Sequence, residues 1–93
     1  MTPEDAFTVL MQSFDVHDHL ENPEMTFGDW ISFTIKESLS LKTRQGLRRY
    51  LDHLLGGSYS EQQLAKMYYA TGPTLHCAKG TVGAFLKEIR DKL

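Results

Sequence analysis

His17-Asp18-His19, with Asp15 and Glu21 close by, offers imidazole and carboxylate groups of the kind divalent metals take as ligands. The spacing argues against a site. Histidines one residue apart point to opposite sides of an extended segment and diverge by ~200° on a helix. A solvated polar loop is the expectation, with no metal and no cofactor. His76-Cys77 suggests a thiol nucleophile, but a catalytic pair must meet through space with a third group to orient the base, and adjacency supplies neither. Gly56-Gly57 lacks the Lys-Ser/Thr of a phosphate loop. No residues are therefore assigned to catalysis, and the chain is not expected to be an enzyme.

Two charged groups bear on binding instead. Lys42, Arg44, Arg48 and Arg49 could meet phosphates. On a helical wheel they split into two pairs, Arg44 with Arg48 and Lys42 with Arg49, and do not form one face. The helix that would read a groove, Glu61 to Ala70, begins with an acid and carries one basic residue, Lys66. A small nucleic-acid-binding regulator using the basic central helix stays as the alternative. The second group is acidic: Asp15, Asp18, Glu21 and Glu24, followed by Asp29, Phe33 and Glu37. The last three recur every four residues and so form one helical column, an aromatic between two acids. These seven are the candidate partner-binding residues.

The formal charge of −2 hides a steep asymmetry. Seven of the twelve acids (Glu4, Asp5, Asp15, Asp18, Glu21, Glu24 and Asp29) lie in the first 35 residues, which contain no Lys or Arg. All ten basic residues lie beyond, with the other five acids, so the two parts carry −7 and +5. Such a cluster of carboxylates faces either a basic partner or the chain's own basic half; the residues alone leave both open.

Ninety-three residues that are 41% hydrophobic and 24% charged fit one globular domain, residues 1–93. No apolar run approaches the length of a membrane span. The acidic start, Met1 to Asp5, has no apolar segment of a secretory signal, and a single cysteine forms no internal disulfide. A cytoplasmic protein is expected.

Five helices are predicted to carry these groups. Thr2-Pro3 caps the first, with Phe7, Leu10, Met11 and Phe14 inward. Thr26 caps the second, from about Phe27 to Leu39, which buries Phe27, Trp30, Ile31, Ile35 and Leu39 and turns Phe33 outward. Ser38 to Thr43 reads as a joint. The central helix follows with Leu47, Tyr50, Leu51, Leu54 and Leu55 on one stripe, closed by Gly56-Gly57. Ser60 to Gln63 forms a capping box for the fourth helix, which Gly72-Pro73 ends. Thr81 is expected to cap the last, where Val82, Phe85, Leu86, Ile89 and Leu93 line up. The expected core contains Phe7, Leu10, Phe14, Trp30, Ile31, Ile35, Leu47, Leu51, Leu54, Leu64, Phe85, Leu86 and Ile89. The fold class is all-α, a compact orthogonal bundle of about five helices.

Residues 45–93 carry a pattern of their own: Leu47-x-x-Tyr50-Leu51-x-x-Leu54-Leu55, then Gly56 to Tyr59, Ser60-Glu61-x-x-Leu64, a glycine-containing loop, and Phe85-Leu86-x-x-Ile89. This resembles the small helical immunity proteins of bacterial contact-dependent growth inhibition. Phe14-Asp15-Val16-His17-Asp18 is similar to an aromatic-and-acid segment near that family's N-terminus, with a different spacing to the next helix. The resemblance implies a cytoplasmic protein that binds and neutralises one cognate toxin domain, often a nuclease; it transfers no binding residue.

Overall fold

Each helix begins where a side chain can take up the free amides of its first turn. The computed structural model describes residues 2–14 and 23–93. In α1 (Pro3–Ser13) the Thr2 hydroxyl accepts from the Asp5 N–H at 3.1 Å, and Glu4 and Asp5 sit at the positive end of the helix. In α2 (Phe27–Ser38) the Thr26 hydroxyl accepts from the Asp29 N–H at 3.0 Å. In α3 (Leu41–Leu54) the cap is Ser40, which accepts from the Thr43 N–H at 3.3 Å. The joint expected over Ser38 to Thr43 therefore shrinks to Leu39 and Ser40, because Ser40 rather than a later residue starts the helix. In α4 (Glu61–Ala70) both halves of the Ser60–Gln63 capping box form, at 3.2 and 2.8 Å.

The last helix, α5 (Val82–Lys92), departs from the pattern. The Thr81 hydroxyl makes no cap; it donates backwards to the Ala78 carbonyl at 2.6 Å. The carboxylate of Glu61, on α4, accepts from the Gly83 N–H at 2.9 Å instead. A Cβ on Gly83 would lie 3.1 Å from that carboxylate, so glycine lets the cap approach. A first turn expected to be capped locally is capped across the structure.

Among the described residues the architecture is a five-helix all-α bundle with no strand. The helix α1 packs on α2 and α3, while α5 packs on α2, α3 and α4. All thirteen expected core residues are buried, none more than 6% exposed. At the centre, Phe14 meets Trp30 and Phe85 edge to face, both at 5.3 Å. Tyr68, not expected in the core, is fully buried and meets Phe85 at 5.9 Å. Phe27 corrects the expectation in the other direction. It lies in the first turn of α2 at the rim of the bundle, tilted against Trp30 and Phe85, and stays 42% exposed. Two hydrogen bonds tie the α1 end to the turn after α4: the Gln12 amide donates to the Thr71 carbonyl at 2.7 Å, and the Thr74 hydroxyl to the Phe14 carbonyl at 3.1 Å.

Candidate functional site

The apolar face of α2 buries Trp30, Ile31, Thr34 and Ile35, which fixes the opposite face toward solvent. Asp29, Phe33 and Glu37 all lie on that outer face, and Phe33 is 47% exposed. Asp29 and Glu37 are eight residues apart, about 12 Å along the axis with Phe33 midway. Lys36 is also exposed on the same side, a cation that the helical wheel places beside the column. Glu24 is exposed in the turn before α2. Asp15, Asp18 and Glu21, with His17 and His19, lie outside the described residues. The structure thus brings together three of the seven candidates on one helix face and places a fourth just before it.

Among the described residues, the acids of the first third make no ion pair with the chain's own basic half. Among the described residues the ion pairs are Arg90–Asp52 at 3.5 Å and Arg90–Asp91 at 3.0 Å, and neither involves the acidic third. Glu4, Asp5, Glu24, Asp29 and Glu37 have no ion pair among the described residues. Of the basic residues of α3, Lys42, Arg48 and Arg49 are exposed, whereas Arg44 is half-buried with its Nε enclosed. Lys42 lines a cleft of about 290 Å³ against the first turn of α1, away from the Arg44 column.

The region of His76 and Cys77 is a packed joint. The Tyr69 hydroxyl accepts from the Cys77 N–H at 3.0 Å and donates to the Cys77 carbonyl at 3.2 Å. His76 stacks on the Tyr69 ring at 5.8 Å. The Tyr68 hydroxyl donates to the Leu75 carbonyl at 2.7 Å. Burial pushes the Cys77 thiol above its ordinary value and nearby Glu61 adds to the rise, while a hydrogen bond with Tyr68 pulls the other way. The raised value keeps the sulfur protonated at neutral pH, the reverse of what a nucleophile needs. The loop separates two clefts, about 300 Å³ beside Phe27 and Phe85 and about 390 Å³ beside Tyr69 and Val82.

Among the described residues no three His, Cys, Asp or Glu side chains group as metal ligands, and no helix is long and apolar enough to cross a membrane. Compared with known proteins, the chain matches no family model, no curated protein and no solved structure.

Proposed function

We propose that this chain is an immunity-type protein that acts in the cytoplasm, binding and neutralising a cognate toxin domain through an acidic surface, without catalysis or cofactor. The observation that carries this reading is the outer face of α2, where Asp29 and Glu37 flank an exposed Phe33 and find no ion-pair partner among the described residues. Glu24 is exposed just before α2, and Asp15, Asp18 and Glu21 precede it in the sequence. A toxin that cleaves nucleic acid must bind a polyanion, and an acidic protein surface is the physical complement of one that does. The resemblance of residues 45–93 to immunity proteins supports the class of partner. The protonated, loop-held Cys77 supports a binder over a thiol enzyme.

The test is binding kinetics against the inactivated toxin domain encoded by the adjacent gene, at two ionic strengths. Charge reversal at Asp15, Asp18 or Glu21 slows association, less so at high salt, because a Debye length of ~8–10 Å screens exposed charges. Phe33→Ala speeds dissociation, with a loss of ~2 kcal/mol or more for a central aromatic anchor. Wild-type behaviour of these variants, with binding abolished by substitution of Lys42, Arg44 and Arg49, would move the interface to the basic half. Salt-dependent retention of the free protein on DNA would favour the nucleic-acid regulator.

A further inference from the structure

Glu37 stands where its own helix disfavours it. The helix α2 ends at Ser38, so Glu37 lies in the last turn, among unsatisfied carbonyls that prefer a cation. The basic residue of that turn is Lys36. Sequence neighbours on a helix point ~100° apart and do not face one another, and no ion pair joins Lys36 to Glu37. Asp29 is the opposite case: it lies in the first turn, at the positive end of the helix dipole. One acid of the column therefore supports the free helix and the other weakens it. Local rules broken without internal compensation concentrate at functional positions.

We infer that the outer face of α2 docks a basic protein surface offering an apolar recess for Phe33 between two cations about 12 Å apart, with Glu37 setting specificity. The inference rests on the immunity reading and specifies the partner surface. Charge selects the occupant. A second copy of this chain, paired about Phe33 by a two-fold axis, would set Asp29 against the other copy's Glu37, like charge against like. A basic surface satisfies both acids at once. Lys36 then fixes the direction of docking: the cation that meets Glu37 must approach from the side of the column away from Lys36, and no such constraint applies at Asp29.

The test uses the full chain with Glu37→Gln, Asp29→Asn and Lys36→Gln, read by thermal midpoint and by association rate with the inactivated toxin domain of the adjacent gene. Glu37→Gln should raise the midpoint by about 1–5 °C and Asp29→Asn lower it by a similar amount. Both should slow association roughly 3–10-fold at low salt and less at high salt. Lys36→Gln should reverse Glu37→Gln, with a lower midpoint and faster association. A lower midpoint for Glu37→Gln would make Glu37 a stabilising surface residue and overturn the inference without any partner present. Binding by wild type together with an unchanged rate for Glu37→Gln overturns the inference and leaves the immunity reading intact. Failure of the wild type to bind removes that reading and the docking assignment with it.

Discussion

At the joint between α4 and α5, Glu61, Tyr68 and Tyr69 each hold a backbone group of the loop or of the next helix: the Gly83 N–H, the Leu75 carbonyl, and both polar groups of Cys77. On the outer face of α2, Asp29, Phe33 and Glu37 are equally conspicuous in sequence, yet all three are exposed and the acids have no ion pair among the described residues. The same kinds of side chain thus serve two purposes. Where each polar atom already has an intramolecular partner, the group supports the fold. Where charges and an aromatic ring stand uncompensated, they are available to another molecule. Residue type did not separate His76-Cys77 from Asp29–Phe33–Glu37; the accounting of partners does.

The largest effect that tests this contrast is Tyr68→Ala. The ring is fully buried, meets Tyr69 and Phe85, and its hydroxyl satisfies a loop carbonyl. Its removal should cost about 3–5 kcal/mol of stability in denaturant titration, as for other buried aromatics. A loss below ~1 kcal/mol would show that the joint does not carry the fold, and the contrast would fail from that side.

Next comes the cap. Glu61→Ala should destabilise by about 0.5–2 kcal/mol, since it leaves the Gly83 N–H without its carboxylate at a helix N-terminus. Thr81→Ala should stay within ~0.5 kcal/mol, because that hydroxyl caps nothing. The reverse order in a pair of melting curves would restore the local cap that the sequence suggested.

That pair also shows how far a sequence can be read. Thr2, Thr26 and Ser60 are each followed three residues later by the amide they satisfy, so their caps are legible in a four-residue window. The α5 cap joins residues 22 apart and depends on how α4 packs on α5, which no local window contains. A wheel gives Phe27 an inward face but does not show that its turn lies at the rim. Phe33 is legible because it lies mid-helix, where the buried face fixes the exposed one. The outer column is therefore legible, while the absence of ion pairs at its acids among the described residues emerges only from the folded structure.

Alkaline pH should act on the joint. Burial raises Tyr68 well above the ordinary tyrosine value of 10.0, with Cys77 and Tyr69 adding to the rise; burial also raises Cys77 above 9.0, and Tyr50 shifts upward too. These acids ionise first in the unfolded chain. Their contribution is thus fully present below their unfolded values and is lost as pH climbs through about 9 to 10 toward the raised folded values. Stability measured from pH 7 to 11 should be flat at first and then fall. In Tyr68→Phe the fall should be shallower, from a lower starting point because the Leu75 carbonyl loses its donor. An unchanged slope in that variant would assign the alkaline loss to other groups.

A change as small as that of Thr81→Ala is expected for Phe33→Ala in the free protein. With 47% of the residue exposed, only part of the ring is removed from water, and truncation forfeits roughly 1 kcal/mol of the 1.5–3 that full burial of a Phe provides. Alanine recovers about half a kcal/mol through its higher helix propensity at a mid-helix position. The gain offsets about half of the loss, so the denaturant midpoint should move by only ~0.5 kcal/mol equivalent, with an unchanged m-value. The same substitution is expected to weaken toxin binding by ~2 kcal/mol or more. Tyr68, pinned within the joint, lacks that signature: its truncation unfolds the site it belongs to. If Phe33→Ala instead destabilises the free protein by more than ~1.5 kcal/mol, the ring is part of the core, and the outer face of α2 loses its claim to a partner.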